Sequence, residues 1–314
     1  MATWKVLLTD GLEENGKALL QESAELVDRT GISADELLTI IGDYDALIVR
    51  GRTKVTDAVF SAGKNLKVVG RAGVGVDNID LNAAKAHQVI VVNSPLATTV
   101  AVAELTMGLM LALVREIPRA DTAMKSGKWL KKELEGNELF HKTLGIIGLG
   151  RIGQTVTRRA AAFDMHVIFY DPFIKQNENI HCEDCDAVSL DELLRDADFI
   201  SLHVPLTDKT RGMLGKEQFE HMKDGVRIID AARGGVIDEA ALLDGLNSGK
   251  VAGAALDVFA TEPPGLVDLA CHPHVIATPH IGAQTVEAQA RAAHDISTEI
   301  LRALRDEELH WRVA

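Results

Sequence analysis

Short runs of β-branched and aliphatic residues alternate with helical patterns along almost the whole chain. In the first third of the sequence these runs lie roughly twenty residues apart with helices between them, an alternation that predicts a parallel α/β sheet. They are Trp4–Leu8, Ala46–Val49, 66–69 and 89–92. Because a proline disfavours helix at the residue before it, Asn93-Ser94-Pro95 is predicted to end this first domain.

The next stretch is apolar with a helical period. Val102, Leu105, Leu109 and Leu113 recur on one face, and Thr98 or Thr99 can cap the start. The pattern predicts one long helix over 98–124. A charged segment over 131–138 then reads as a surface loop.

After that loop the alternation of apolar runs and helices resumes. The further strand candidates are 144–147, 166–170, 198–202, 226–230, 251–256 and 275–277. A final helical pattern over 283–305 has no strand after it, so we expect it to return to the first domain. The fold class predicted is α/β with two parallel-sheet domains, Rossmann-like and flavodoxin-like. Residues 98–283 form a domain inserted in the other, which comprises 1–97 plus 284–314.

A glycine motif stands almost at the middle of the chain, where an apolar strand candidate passes into a helical pattern. Gly148, Gly150 and Gly153 have the GxGxxG spacing of a dinucleotide-binding turn. The first glycine permits the turn, the second lets the backbone approach a pyrophosphate, and the third packs helix against strand. The next strand candidate ends in Asp171, whose carboxylate can bind the ribose hydroxyls of NAD and would repel the 2′-phosphate of NADP. The motif predicts an NAD-binding domain.

Composition narrows the classes of partner. The formal net charge of −13 argues against nucleic acid and anionic membrane surfaces, which need a basic patch. It leaves an anionic small molecule open, because a local cationic pocket can coexist with an acidic exterior. Three cysteines are too few for a disulfide framework, and the N-terminus lacks a signal-peptide pattern, so we expect a cytoplasmic protein.

Polar residues gather after three successive strand candidates of the second domain. Arg233, Glu262 and His280 each lie on such a loop, where ligands of open α/β sheets bind. Hydride transfer at an alcohol carbon requires a proton to move at the alcohol oxygen, and a histidine near neutral pKa can carry it in both directions. A carboxylate can orient the ring, and an arginine can hold a substrate carboxylate.

These motifs, in this order, resemble the D-isomer-specific 2-hydroxyacid dehydrogenases. The resemblance rests on the glycine loop, Asp171, and the stretches 232–239, 257–259, 262–263 and 279–283. It implies that Arg233, Glu262 and His280 form a catalytic triad with His280 as proton donor. It also implies NAD contacts from the glycine loop and strand ends: Arg151, Ile152, Asp171, Val204, Pro205, Ala231, Ala232, Asp257, Gly282 and Ala283.

Segments of the first domain are most similar to family members that oxidise 3-phosphoglycerate to 3-phosphohydroxypyruvate, the first step of serine biosynthesis. The implied substrate-binding residues are Arg50, Arg52, Arg71, Gly73, Val74, Gly75 and Asn78. Arginines there could neutralise a phosphate as well as a carboxylate, although basic residues on a solvated face are the alternative. The sequence departs from those members at Gly51, where a serine is usual, and at Leu130, where an arginine often stands. Regulatory domains of the longer members are not expected, nor is feedback by serine.

Alternatives remain open at this point. The same chemistry could reduce hydroxypyruvate, glyoxylate or another 2-keto acid, and a remote alternative is a NADH-sensing corepressor-like binding protein. His181, Cys182 and Cys185 resemble half a metal site, but a charged surface loop without a metal is the favoured interpretation. His203 is interpreted as a packed residue or one on the adenosine side of the cofactor, and not as a second catalyst. A homodimer that pairs through the apolar 98–124 region is expected.

Overall fold

The computed structural model describes residues 4–174 and 185–314. The chain divides into two compact units: unit 1 comprises Met1–Thr99 and Ala283–Ala314, and unit 2 comprises Val100–Gly282. Unit 2 is thus inserted in unit 1. His181 and Cys182, two residues of the half metal site weighed above, lie outside the described residues.

Unit 1 alternates strand and helix over its first segment and ends on one long helix. Its strands are β1 (Trp4–Leu8), β2 (Ala24–Asp28), β3 (Ala46–Val49), β4 (Val68–Arg71) and β5 (Ile90–Asn93). Its helices are α1 (Glu14–Gln21), α2 (Ala34–Ile40), α3 (Asp57–Ala62), α4 (Leu81–Ala86) and the last helix of the chain, Val286–Leu304, with a 3₁₀ turn at Ile41–Asp43.

The five strands of unit 1 form one parallel sheet in the order β2-β1-β3-β4-β5, which is the flavodoxin-like order. Apolar clusters cover both faces, one of them built with the Val286–Leu304 helix. Gly70 lets that helix approach closely, because a Cβ there would lie 2.9 Å from Ile296 Cγ1 and Ile300 Cδ1. Along the β5 edge, Val313 N–H donates to Val91 O at 2.7 Å, so the C-terminal residues cover backbone that a bare edge would expose.

Unit 2 contains the remaining elements. Helix α5 (Thr99–Val114) begins at the last residue of the first unit-1 segment, and α6 (Ile117–Lys125) follows it. The strands are β6 (Thr143–Ile147), β7 (His166–Tyr170), β8 (Asp186–Ala187), β9 (Phe199–Leu202), β10 (Val226–Asp230), β11 (Val251–Leu256) and β12 (Val275–Ala277). The helices between them are α7 (Arg151–Ala161), α8 (Leu190–Asp196), α9 (Lys216–His221), α10 (Glu239–Ser248) and α11 (Asp268–Cys271), which makes the Val286–Leu304 helix α12.

The strands of unit 2 form one parallel sheet in the order β12-β11-β10-β9-β6-β7-β8. This is the doubly wound order, in which the connection reverses direction between β6 and β9, and ligands bind at the carboxyl ends of strands beside such a switch point. The predicted fold class, two parallel-sheet domains with one inserted in the other, is confirmed. None of the described helices is long and apolar enough to cross a membrane.

The prediction of one long helix over 98–124 is wrong. Two helices, α5 and α6, meet at Glu116, whose φ of 50° is left-handed. Pro118 follows at the start of α6. A continuous helix would bring its ring against the carbonyl of Val114, four residues earlier, and proline has no N–H to donate there. Strand β2 was not predicted at all, because Ala24-Glu-Leu-Val-Asp28 mixes charged and apolar residues.

Candidate active site

The glycine loop has the strand–turn–helix geometry that its spacing predicts. Gly148 has a φ of 95°, and a Cβ there would lie 2.7 Å from His203 O. A Cβ on Gly153 would collide with the carbonyl of Gly148, so this glycine lets α7 lie close to the loop. At Gly150 a Cβ would meet nothing within 4 Å, which leaves that side of the loop open.

Asp171 follows β7 and lies against the same loop. Its Oδ2 accepts from Leu149 N–H and its Oδ1 from Phe173 N–H, both at 3.0 Å. Each carboxylate oxygen keeps acceptor capacity for a hydroxyl group. The open face at Gly150, the N-terminus of α7 and this carboxylate fit a dinucleotide with a pyrophosphate and a free ribose diol.

The segment after β9 lies across the switch point from the glycine loop. His203 Nε2 is 3.0 Å from Ser201 Oγ, and burial lowers the pKa of His203 to about 4. The ring is therefore neutral at physiological pH, which suits a packed residue. The side chain of Val204 would be 2.7 Å from a Cβ on Gly148, and Pro205 follows it.

The loop after β10 carries Arg233, whose Nη1 donates to Ala232 O at 2.6 Å. Gly234 lets this loop contact the one after β11, because a Cβ there would overlap the backbone of Phe259. Asp230, the last residue of β10, accepts from Ala232 N–H at 2.9 Å. Burial raises the pKa of Asp230 to about 7, and the charge of Asp257 acts in the same direction. Sequence reasoning did not single out Asp230, since a polar residue at a strand end is ordinary.

Asp257 holds the loop that bears His280. Its side chain is 1% exposed and accepts from Thr278 Oγ1 at 2.6 Å and from the N–H groups of Ile281 and Gly282, each at 2.8 Å. Its carbonyl accepts from His280 N–H at 2.9 Å. Ala283 follows Gly282. The buried carboxylate therefore fixes the backbone on both sides of the histidine.

Glu262 and His280 are brought together as the resemblance implies. Glu262 Oε2 lies 2.8 Å from His280 Nδ1, while Oε1 accepts from Phe259 N–H at 3.2 Å. The peptide bond between Glu262 and Pro263 is cis. His280 has a φ of 52°, a left-handed conformation that costs a non-glycine residue about 1 kcal/mol. With Nδ1 bonded to the carboxylate, Nε2 is the nitrogen that can exchange a proton with a ligand.

In unit 1 the predicted arginines surround a buried aspartate at the switch point between β1 and β3. Asp10 Oδ2 accepts from Arg50 N–H at 2.8 Å and from Thr53 N–H at 3.0 Å. Arg52 Nη2 lies 3.2 Å from Asp10 Oδ1 and donates to Thr9 O at 2.7 Å. A further bond runs from Arg52 Nη1 to Ile32 O at 3.0 Å, so this guanidinium is bonded to the protein.

The Arg50 guanidinium makes fewer hydrogen bonds than that of Arg52. Its Nε and Nη2 are buried and donate no hydrogen bond among the described residues, and Nη2 lies 3.6 Å from Glu13 Oε1. Asn78 Nδ2 donates to Arg50 O at 3.0 Å and to Thr53 O. These bonds tie the Asn78 turn to the loop after β3.

The turn after β4 carries the other predicted substrate residues. Gly73 has a φ of 145°, and the Arg71 guanidinium lies where its Cβ would be. Asn93 Nδ2 donates to Val74 O at 2.6 Å, which fixes the turn before Gly75. The structure thus groups Arg50, Arg52 and Asn78 around one loop and places Arg71, Gly73, Val74 and Gly75 on the next.

The fold and this geometry define a class. A doubly wound sheet with a glycine loop at its switch point, an aspartate after the second strand and a carboxylate-bonded histidine is typical of nicotinamide-dependent dehydrogenases. Residues 107–282 match the model of the protein family described as "D-isomer specific 2-hydroxyacid dehydrogenase, NAD binding domain".

Relatives extend the likeness to the whole chain. A D-3-phosphoglycerate dehydrogenase of Methanocaldococcus jannaschii is 50% identical over 96% of this chain, and the chain spans 58% of that protein. A hydroxypyruvate reductase of Thermotoga maritima is 48% identical over 97% of the chain and 99% of its own length. The crystal structure of a glyoxylate reductase from Paecilomyes thermophila superposes with a TM-score of 0.91 at 32% identity, covering 100% of this chain and 99% of that one.

This chain belongs to the D-isomer-specific 2-hydroxyacid dehydrogenase family, and unit 2 contains the family's NAD-binding domain. The chain spans little more than half the length of several of the curated relatives it matches.

Proposed function

We propose that the chain catalyses the NAD-dependent interconversion of a D-2-hydroxy acid and its 2-keto acid. The observation that carries the proposal is the 2.8 Å contact between Glu262 Oε2 and His280 Nδ1 on a loop that Asp257 fixes. Bound NAD accepts or supplies the hydride. His280 takes or gives the proton at the substrate oxygen through Nε2, and Glu262 orients the ring and favours the imidazolium form.

Arg233 supplies the remaining element of the proposed catalytic triad. Its planar guanidinium can hold the substrate α-carboxylate and polarise the adjacent carbonyl, which positions the carbon for hydride transfer. The bond from Nη1 to Ala232 O restrains the side chain before a substrate arrives.

The proposed NAD contacts come from the loops already described. Asp171 reads the ribose hydroxyls, and its two backbone bonds support that role by fixing the carboxylate beside the glycine loop. Glycines and strand-end residues provide the other contacts: Gly148, Gly150, Arg151, Ile152, Gly153, Val204, Pro205, Ala231, Ala232, Asp257, Gly282 and Ala283.

The preferred substrate in this proposal is 3-phosphoglycerate, oxidised to 3-phosphohydroxypyruvate as in serine biosynthesis. Relatives named D-3-phosphoglycerate dehydrogenase at 44–50% identity support it. Arg50 and Arg71 would neutralise the anionic groups, with the backbone of Gly73, Val74 and Gly75 and the amide of Asn78 beside them. Arg52 would contribute by fixing Thr9 and Asp10, since its own bonds go to the protein.

A second candidate is the reduction of hydroxypyruvate or glyoxylate. Two observations favour it: a relative named hydroxypyruvate reductase is 48% identical over 97% of this chain, and Glu13 places a negative charge 3.6 Å from the Arg50 guanidinium. A dianionic phosphate is disfavoured by a carboxylate so close to its binding cation.

Steady-state kinetics with NADH separate these readings. We expect kcat/KM for 3-phosphohydroxypyruvate to exceed that for hydroxypyruvate, with glyoxylate lower still. Equal or reversed values would assign the chain to the second candidate. NADH binding without turnover of any 2-keto acid would favour the corepressor-like alternative.

We also propose a cytoplasmic homodimer. Exposed apolar side chains on and after α6 support pairing, since Ile117, Met124 and Trp129 are 51%, 56% and 76% exposed. Light scattering should give twice the 33.9 kDa mass of the chain. Charged substitutions of Met124 and Trp129 together should then yield monomers, whereas the same changes at exposed Phe173 should not. The low number of cysteines supports the cytoplasmic location.

A further inference from the structure

Asp230 is a buried carboxyl group to which the proposed mechanism gives no role. It ends β10, in register with Leu202 of β9 and Leu256 of β11, and is 2% exposed. The residues that follow it lead directly to Arg233. A carboxyl group at this depth is rare unless it serves a partner.

The Asp230 side chain bonds the backbone of the arginine loop. Oδ1 accepts from Ala232 N–H at 2.9 Å, and the N–H of Arg233 bonds the same carboxyl group. Two backbone donors on one side chain fix the turn from which the Arg233 side chain departs. The carbonyl of Asp230 also accepts from Asp257 N–H at 2.8 Å, which joins this turn to the residue that holds the His280 loop.

Three charged side chains lie near Asp230: Arg233, Asp257 and Glu239. Arg233 lies on its own loop and Asp257 at the end of β11, and both act on its charge. Glu239 at the start of α10 lines a cavity of about 10 Å³ with Asp230, but its Oε1 accepts from Ala260 N–H at 2.6 Å. Strand β9 presents Leu202 as its register partner. Of these three side chains, Arg233 carries the positive charge and the other two are carboxylates.

We propose that Asp230 is a positioning residue for Arg233: its oxygen fixes the Ala232–Arg233 turn, and its charge competes with the substrate carboxylate for the guanidinium. The inference rests on the proposed function, because it assigns Arg233 to substrate binding. It separates two properties of one side chain, the acceptor oxygen and the negative charge, which substitutions can remove one at a time.

The charge gives the pair a pH dependence in the neutral range. Burial raises the pKa of Asp230 to about 7, so the group is neutral below that pH and ionised above it. Ionised Asp230 attracts the Arg233 guanidinium and weakens its hold on a substrate anion. The KM for a 2-keto acid should therefore rise as pH increases through 7.

Asp230→Asn keeps the acceptor oxygen and removes the charge, whereas Asp230→Ala removes both. At pH 8.5 we expect Asp230→Asn to retain kcat within about threefold and to lower the KM for the keto acid several-fold, with little KM change between pH 6 and 8.5. Asp230→Ala should lower kcat by about tenfold or more, since the turn is no longer fixed. The matched control is Asp198→Asn, which precedes β9 at the opposite end of the same sheet and should follow the wild type.

A second readout does not depend on turnover. In protein labelled with carboxyl-¹³C aspartate, the resonance absent from Asp230→Asn should titrate near pH 7, far above ordinary aspartates. Two results would overturn this inference and leave the proposed function intact. One is an active wild type whose KM changes with pH in the same way as that of Asp230→Asn. The other is an Asp230 resonance that titrates near pH 4. Absence of wild-type turnover on every 2-keto acid would overturn the proposed function and this inference with it.

Discussion

Two buried aspartates, one in each unit, perform the same structural task with different partners. Asp10 follows β1 and holds the loop after β3, while Asp257 follows β11 and holds the loop that bears His280. Each accepts two backbone N–H groups. Asp10, however, also has the Arg52 guanidinium at 3.2 Å, whereas the donors to Asp257 are neutral.

The two units also differ in the charges at the carboxyl ends of their strands. In unit 1 arginines are matched by carboxylates, as Arg50 is by Glu13 and Arg52 by Asp10. In unit 2 the switch point is lined by glycine backbone, and a fixed loop presents the Glu262–His280 pair. In the proposed function an incoming anion exchanges ion pairs in unit 1, whereas the Glu262–His280 pair of unit 2 is already formed. We therefore expect changes in unit 2 to alter the rate of reaction and changes in unit 1 to alter the choice of substrate.

The largest expected effect is on kcat, and it follows from substitutions at the Glu262–His280 pair of unit 2. His280→Ala should lower kcat by about 10²–10⁴-fold, the usual contribution of a general acid–base group, and leave the Kd for NADH nearly unchanged. Glu262→Gln should have a smaller effect because the imidazole remains. Stopped-flow NADH oxidation together with a fluorescence titration measures both quantities. A His280→Ala enzyme within tenfold of wild type would remove His280 from the mechanism.

Substitution of Asp171 should change the preference for NAD over NADP, by a smaller factor than His280→Ala changes kcat. Asp171→Ala should narrow the preference for NAD over NADP by roughly tenfold or more, since a hydrogen bond to a charged group is worth about 1.5–3 kcal/mol. Asp171→Asn is the matched control for charge, because it keeps an oxygen for the N–H of Leu149 or Phe173. If both variants keep the wild-type kcat/KM ratio for the two cofactors, a group other than Asp171 binds the ribose hydroxyls.

Substitutions in unit 1 should change the substrate preference and leave kcat nearly unchanged. Glu13→Gln removes the carboxylate beside Arg50 and should raise kcat/KM for 3-phosphohydroxypyruvate relative to hydroxypyruvate by about two- to fivefold, the value of a partly exposed ion pair. Glu14→Gln is the control, one residue along and paired with Lys17 at 3.2 Å. A shift of the same size in both variants would mean that net charge, and not the Arg50 pair, is responsible.

A further prediction concerns the free energy of unfolding. The pKa of Asp230 is raised in the folded chain to about 7 from an ordinary 3.8, so between these values the folded state binds one more proton than the unfolded state. Stability then falls as pH rises through that window. Asp230→Asn should be more stable than wild type at pH 8, on the order of 1–3 kcal/mol, and no more stable at pH 4. Urea unfolding at the two pH values measures this difference, and a stability difference that does not change with pH would contradict it.

The sequence predicted the parts of this molecule that depend on local pattern. The apolar runs located most strands, and Gly148–Gly153 located the glycine turn between β6 and α7, because strand burial and turn geometry depend on adjacent residues. The break at Glu116 was missed because the apolar period continues through it, although Pro118 was the available signal. The role that we propose for Asp230 was not predictable, since its burial depends on β11 and on the loop to Arg233. Likewise Glu13 and Arg50 are distant in sequence and meet only once β1 and β3 are adjacent.

In the proposed reaction His280 exchanges the proton at the substrate oxygen and Arg233 holds the carboxylate, so that a D-2-hydroxy acid and its 2-keto acid are interconverted. The most direct test incubates the protein with hydroxypyruvate and NADH and resolves the enantiomers of the glycerate formed. We expect D-glycerate from the wild type and a strongly reduced yield from His280→Ala. L-glycerate, a racemic product, or equal yields from the two proteins would contradict it.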